Sequence, residues 1–151
     1  MLLACLAALA VAFSAEWWGG VVPCALCLLE RWPYRVAAVL AVVALLLPAW
    51  AARWWLGLGV LVILVGAGLS AVHVGVEQGW WPSPLPECAA PTFSGGSITE
   101  RLAHMPARPA KPCDAPTLLI PGLPVSMAAM NLVFALALSL AVPILASRRT
   151  S

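Results

Sequence analysis

Two cysteines three positions apart, Cys24 and Cys27, are the residues of this chain best placed to do chemistry. Pro23 precedes them, and Glu30 and Arg31 follow within the next turn, before a long apolar stretch begins. A thiol near a helix N-terminus and a cation loses its proton readily, and the thiolate is the nucleophile in disulfide exchange. The pattern therefore predicts a reactive dithiol at the mouth of an apolar helix.

The other cysteines make this chemistry more specific. Cys88 and Cys113 lie in a second segment between apolar runs, whereas Cys5 lies within a run, where we expect it only to pack. Two pairs of this kind favour an oxidising compartment and a relay of thiol–disulfide exchange. A structural disulfide or half of a zinc site are the alternatives. We predict no metal site, because Cys88 and Cys113 lack the close spacing of zinc ribbons. Four cysteines allow three pairings, and the sequence does not choose among them.

Composition indicates an integral membrane protein. The 151 residues are 63% hydrophobic and 9% charged, whereas soluble domains carry about 25% charged residues. Long uncharged runs predict an all-α membrane protein, a four-transmembrane-helix bundle that forms a single domain over residues 1–151. A net charge of +2 gives no reason to expect a nucleic-acid partner. The eight tryptophans fall at the ends of apolar runs, where an interfacial belt forms.

The apolar runs place the four spans at approximately residues 1–17, 32–47, 54–76 and 124–146. Pro33 suits the first turn of the second span. We expect a tight turn at residues 51–53 before the third span begins. The segments 18–31 and 77–121 carry the four loop cysteines and, with four spans, lie on the same side of the bilayer.

The orientation of the bundle follows from the cysteines rather than from charge. The predicted side of the termini carries three basic residues, Arg53, Arg148 and Arg149. The predicted side of the cysteine loops carries five, Arg31, Arg35, Arg101, Arg108 and Lys111. The positive-inside rule opposes an outward placement of the cysteines. Stable loop disulfides need an oxidising compartment, so we predict that both cysteine loops face outward.

The electrons released by dithiol oxidation need an acceptor. The sequence shows no metal or flavin motif, and a lipid-soluble quinone that reaches the helix mouth fits. Its ring would lie near Cys27, with Arg31 donating hydrogen bonds to a carbonyl oxygen. We expect Glu30 to be a solvated acid at the helix start, Tyr34 to be an interfacial anchor and Glu77 to mark the end of the third span.

On these residues the chain resembles the DsbB family of bacterial disulfide-forming membrane proteins. The resemblance rests on Pro-Cys-Ala-Leu-Cys-Leu-Leu-Glu-Arg at 23–31, on Trp-Pro-Ser-Pro at 81–84 followed by Cys88, on Cys113-Asp114, and on Gly122 to Asn131. It covers nearly the whole chain, and its cysteine framework is specific.

The resemblance implies an enzyme that reoxidises a periplasmic DsbA-like dithiol oxidase of the thioredoxin fold and passes the electrons to ubiquinone or menaquinone. It implies that the partner attacks Cys88, that Cys113 pairs with Cys88 and exchanges with Cys24, and that Cys27 lies beside the quinone. Arg31 matches the family's quinone-site arginine. The resemblance also implies a multi-pass protein of the bacterial inner membrane, with both cysteine loops periplasmic.

His73 departs from the family pattern. The best-known members have a histidine near the quinone late in the third span, and alignment on Pro-Ser-Pro and Cys88 places Gly75 there, two residues beyond His73. Two residues turn about 200° around a helix. His73 is therefore a candidate quinone contact that either serves differently from the family histidine or lies on a locally irregular helix.

Two other classes of function compete with the oxidase. A non-enzymatic, disulfide-braced membrane scaffold or assembly factor would keep its cysteines oxidised and would not exchange them. A metal transporter or sensor would need intramembrane carboxylates and histidine pairs, which the apolar runs do not offer.

Overall fold

The computed structural model of the chain describes residues 1–88, 97–99, 111–118 and 125–148. The expected all-α fold is confirmed, and its four helices are α1 (Leu2–Trp17), α2 (Ala25–Leu46), α3 (Ala49–Glu77) and α4 (Met127–Arg148). A 3₁₀ turn spans Pro86–Cys88. Sequence neighbours pack together, since α1 contacts α2, α2 contacts α3 and α3 contacts α4. The remainder of the segment 77–121 and the predicted start of the fourth span at residue 124 lie outside the described residues.

Length and apolarity differ among the four helices. Within the described residues, α3 and α4 are each long and apolar enough to cross a membrane. The apolar helix α1 has 16 residues, and the 22-residue α2 carries charged residues in its first half. All eight tryptophans are exposed, Trp55 least at 37%, as residues of an interfacial belt would be.

The helix α2 begins at Ala25, ahead of the span predicted from residue 32. Cys24 is its N-cap residue, and its Sγ atom accepts the backbone N–H of Cys27 at 3.2 Å. The sulfur thereby satisfies one of the N–H groups that a helix start leaves without a partner. This early start brings Cys27, Glu30 and Arg31 into the first turns of α2.

The helix that carries Pro33 begins at Ala25, so Pro33 lies in the helix interior and the expectation that it occupies the first helical turn was wrong. A proline in a helix interior has no N–H to donate to the preceding turn. Its ring packs on Gly66 of α3, where an added Cβ atom would lie 2.9 Å from Pro33 Cβ. Because Gly66 has no side chain, α2 and α3 approach closely at this level.

The expected turn at residues 51–53 was also wrong, because these residues are helical. The break consists of Leu47 and Pro48. Pro48 has no N–H to continue α2, and it serves as the N-cap residue of α3. The following alanines and tryptophans then form the first turns of α3.

The main core lies where α1, α2, α3 and α4 meet. It contains Cys5, Tyr34, Ala37, Ile63, Ala67, Ala135, Leu138 and Val142. Cys5 is fully buried there, as expected of a residue that packs within a helix bundle. Tyr34 is 4% exposed and is a core residue, so its expected role as an interfacial anchor was wrong.

We expect Gly66→Ala to lower the free energy of unfolding by about 1–3 kcal/mol, because the new methyl group overlaps the ring of Pro33. The matched control is Gly68→Ala, since nothing lies within 4 Å of a Cβ atom built there. Tryptophan fluorescence during unfolding with SDS in mixed micelles measures both variants. Equal stability of the two would contradict the close packing of Pro33 on Gly66.

Candidate active site

The two cysteines of the Cys-x-x-Cys motif lie side by side at the start of α2. Their Sγ atoms are 2.8 Å apart, and both cysteines are free thiols in this structure. Cys24 is buried, with 3% of its surface exposed, whereas Cys27 is half-buried. The pair is therefore a dithiol in which only one sulfur is partly accessible.

Cys88 and Cys113 form a disulfide, which is the pairing implied by the family resemblance. The disulfide packs in one buried cluster with Cys24, Leu26 and Val76, and Cys27 lies against the same cluster. The fold thus brings together two cysteine pairs that are far apart in sequence. Contact within one cluster is what exchange between a thiolate and a disulfide requires.

The segment that carries Cys113 is also tied to the last helix. The backbone N–H of Met127 donates to the carbonyl oxygen of Thr117 at 2.8 Å, and Leu118 forms a β-bridge with Ser126. These bonds hold the described part of the second cysteine segment at the start of α4.

A chain of polar side chains leads from Cys24 into the bundle. Nε2 of His73 lies 3.5 Å from Cys24 Sγ, and Nδ1 of His73 lies 2.8 Å from Glu30 Oε1. The side-chain amide of Asn131 donates to Glu30 Oε2 at 2.7 Å. Both His73 (2% exposed) and Glu30 (6%) are buried, so the expectation that Glu30 is a solvated acid was wrong.

Asn131 completes the polar chain from α4. Its amide nitrogen also donates to Ser70 Oγ at 2.8 Å, and its carbonyl oxygen accepts the hydroxyl of Tyr34 at 2.6 Å. The Ser70 hydroxyl in turn donates to the carbonyl oxygen of Gly66. Buried polar groups that are fully paired hold one arrangement, so α2, α3 and α4 meet in a fixed register.

This environment favours the thiolate at Cys24. The hydrogen bond with the Cys27 thiol and, more weakly, the one with His73 lower the pKa of the Cys24 thiol to about 4, although burial acts in the opposite direction. Above that pH the reduced pair carries its charge on Cys24. A cysteine with a low pKa is a better leaving group in exchange, and its disulfide is more oxidising.

A cavity of about 290 Å³ lies between α1, α2 and α4. Its wall is mostly apolar, and its polar lining residues are Cys27, Glu30, Arg31, Tyr34 and Asn131. An apolar pocket with a few convergent polar groups is typical of small-molecule sites. The polar chain that begins at Cys24 therefore ends at this cavity.

Arg31 is held at the edge of the cavity. Its Nη1 atom donates to Glu16 Oε2 at 2.8 Å, and its guanidinium carbon lies 4.9 Å from the ring centroid of Phe13. A guanidinium has five N–H donors, so the bond to Glu16 leaves others for a ligand oxygen. These contacts hold Arg31 in place beside Cys27.

His73 is not among the described residues that line the cavity. It points instead at Cys24 and Glu30. Position 75 has no room for a side chain, because an added Cβ atom would overlap the ring of Trp81. The Trp81 indole N–H donates to the carbonyl oxygen of Val72 at 3.0 Å, which fixes the ring over Gly75.

Sequence reasoning missed Glu30, Ser70 and Asn131 as parts of the site. A signal was present in the third span, where Ser70, His73 and Glu77 recur at intervals of three and four residues. Such residues share one helix face, and polar residues within a span face protein rather than lipid. The partner on α4, Asn131, carries no comparable signal.

The chain matches a known protein family over most of its length. The DsbB profile, described as disulfide bond formation protein DsbB, matches residues 1–145 of the chain. No curated protein and no solved structure matches the chain significantly.

We expect His73→Asn to raise the pKa of the Cys24 thiol and to make the reduction potential of the Cys24–Cys27 pair more negative. The reason is that the Cys24 thiolate loses a hydrogen-bond partner. Each unit of pKa shifts the potential by about 30 mV. Equilibration with glutathione buffers, in a Cys88→Ala/Cys113→Ala background, followed by alkylation and a mobility shift, measures the potential.

The matched control is Ser70→Ala, on the same face of α3 but without a contact to Cys24 in the described network. Its potential should equal that of the parent protein. A His73→Asn potential that also equals the parent value would show that His73 does not stabilise the thiolate.

Proposed function

The chain belongs to the DsbB family of membrane proteins, quinone-dependent thiol oxidases that oxidise DsbA, and from that premise we propose which residues carry the reaction. Cys27 supports the proposal most directly, because it packs against the cluster of cysteine pairs and also lines the apolar cavity. The disulfide-braced scaffold and the metal transporter do not account for this family membership.

In the proposed route a thiolate of DsbA attacks the Cys88 sulfur, which forms a mixed disulfide and releases the Cys113 thiolate. Cys113 then attacks Cys24 of a Cys24–Cys27 disulfide and releases the Cys27 thiolate. The second DsbA thiolate attacks the DsbA sulfur of the mixed disulfide, releases the Cys88 thiolate and leaves with an intact disulfide. The Cys88 thiolate attacks Cys113 of the Cys24–Cys113 disulfide, which re-forms Cys88–Cys113 and releases the Cys24 thiolate. The Cys24 and Cys27 thiolates then form their own disulfide again and give up two electrons on the cavity side.

The cavity between α1, α2 and α4 suits a quinone head group. Its apolar wall matches a ring that arrives from the bilayer, and Arg31 offers N–H donors to a carbonyl oxygen. A bound quinone accepts two electrons and two protons. Tyr34 and Asn131 lie in the same wall and restrict the position of the ring.

His73 has a role on the thiol side of the site in this proposal. Its contacts with Cys24 and Glu30 make it a positioning residue for the dithiol. Glu30 connects the two sides, since one carboxylate oxygen contacts His73 and the other accepts from Asn131 at the cavity wall. A proton that leaves Cys24 can therefore be held at His73 and then at Glu30, beside the cavity.

The cellular setting is part of the proposal. The cysteine segments face the periplasm, where a DsbA-type partner of the thioredoxin fold is oxidised, and the chain crosses the bacterial inner membrane with four helices in one domain. The acceptor is ubiquinone or menaquinone. Two findings support this setting. The chain belongs to the DsbB family, and α3 and α4 are long and apolar enough to cross a membrane.

We expect Cys27→Ser to abolish quinone reduction, because the electron pair then has no sulfur at the cavity wall from which to leave. The measurement is anaerobic mixing of the purified protein with reduced DsbA and a ubiquinone analogue, followed by quinone absorbance and DsbA thiol content. In the parent protein the loss of quinone should equal the oxidation of DsbA.

Cys5→Ala is the matched control, since Cys5 is a free cysteine that lies in the main core. It should retain the parent rate. Quinone reduction by Cys27→Ser at the rate of the Cys5→Ala variant would contradict the proposed electron exit.

A further inference from the structure

Three side chains at the start of α2 and the end of α3 have the arrangement of metal ligands. The Sγ atoms of Cys24 and Cys27 and a ring nitrogen of His73 all lie within 4.8 Å of one another. Tetrahedral Zn²⁺ with ordinary bond lengths separates a sulfur and a nitrogen ligand by about 3.5 Å and two sulfurs by about 3.8 Å. The Cys24–His73 distance is 3.5 Å, and the two sulfurs, at 2.8 Å, need to separate by about an ångström.

The orientation of His73 fits a ligand. Glu30 Oε1 lies 2.8 Å from Nδ1 and accepts its hydrogen. A cation at this site would replace the hydrogen that Nε2 shares with the Cys24 thiolate, and the lone pair of Nε2 would then face the cation. A carboxylate that orients the imidazole in this way is the usual outer partner of a zinc-binding histidine.

Glu77 supplies an independent observation that points to a cation at this site. Its side chain is 3% exposed, and its Oε2 atom has no hydrogen-bond partner among the described residues. Its Oε1 atom lies 3.9 Å from His73 Nε2. A buried carboxylate oxygen without a partner is unfavourable. A cation bound to Nε2 of His73 would lie close to this carboxylate. Glu77 lies outside the group of three ligand atoms within 4.8 Å of one another, so it would move towards the cation to serve as a fourth ligand.

We propose that the reduced Cys24–Cys27 pair, with His73 and Glu77, binds a soft divalent cation such as Zn²⁺. Cys27 loses its proton, Nε2 of His73 gives up the proton that it shares with the Cys24 thiolate, two metal–thiolate bonds and one metal–nitrogen bond form, and no electrons are transferred. The disulfide form has no thiolates and does not bind the cation. The site is therefore gated by the redox state of the dithiol, and an occupied site withholds Cys27 from electron transfer until the cation is removed.

The test uses Co²⁺ as a spectroscopic probe of the full chain in lipid nanodiscs. We expect the reduced protein to bind one Co²⁺ per chain, with thiolate-to-cobalt absorption and the visible bands of a tetrahedral site. Addition of Zn²⁺ should remove both signals. Protein with the Cys24–Cys27 disulfide intact should give neither signal.

Variants then assign the ligands. Affinity for Co²⁺ should fall at least tenfold in His73→Ala, and loss of the orienting carboxylate in Glu30→Gln should weaken it about 10- to 100-fold. The control is the Cys88→Ala/Cys113→Ala double variant, which removes the other cysteine pair and should keep the parent affinity. Tryptophan fluorescence reports whether each variant is folded. If His73→Ala does not fold, Cys24→Ser and the oxidised parent protein test the same ligand set.

Three results would overturn the proposal. They are the absence of stoichiometric binding to the reduced protein, binding that survives in Cys24→Ser, and binding that disappears in the Cys88→Ala/Cys113→Ala variant. The assay contains neither quinone nor DsbA. If quinone reduction did not follow the proposed electron route, the cobalt-binding result would be unaffected. If cobalt did not bind, the proposed electron route would likewise be unaffected.

Discussion

The carboxylate of Glu30 is the constraint on which the rest of the bundle depends. A charged group among transmembrane helices is tolerated only where other side chains pair with it. Each oxygen of Glu30 has a partner from a different helix, His73 from α3 and Asn131 from α4. The carboxylate therefore sets the register of three helices, and it does so directly beneath the dithiol. Close packing of Pro33 on Gly66 keeps α2 near enough to α3 for these bonds to form.

The start of α2 places the two cysteines of the Cys-x-x-Cys motif in different surroundings, so they have different roles. Cys24 is the N-cap residue, outside the helix, where its sulfur meets His73. Cys27 lies one turn later, on the side that faces the cavity between α1, α2 and α4. A spacing of three residues thus places one sulfur near the disulfide and the polar chain and the other near the acceptor site. The same closeness of sulfur and imidazole gives the dithiol its resemblance to a zinc site.

Much of this arrangement could be predicted from the sequence. Composition and apolar runs predicted four helices, and the Cys-x-x-Cys motif with Arg31 predicted a redox site at a helix mouth. The boundaries of the helices were harder to predict from the sequence. A cysteine is an uncommon N-cap residue, so Cys24 did not mark the start of α2. Pro33 fits inside α2 because its ring packs on Gly66 of α3, a contact that the sequence does not reveal. The burial of Glu30 depends on Asn131, which is 101 positions away in the chain. A partner at that distance leaves no periodicity in the sequence, so the polar chain became visible only in the structure.

The most direct test of the connection between dithiol and cavity is the rate at which the reduced protein reoxidises its Cys24–Cys27 pair with a quinone in a single anaerobic turnover. Rapid mixing, acid quenching and alkylation follow the disulfide. If Glu30 carries the proton from His73 to the cavity, Glu30→Gln should slow the step at least tenfold, as loss of a general acid–base group does. Glu87→Gln, an exposed acid in the 3₁₀ turn, should keep the parent rate. Equal rates in the two variants would contradict the connection and would leave Glu30 with a structural role only.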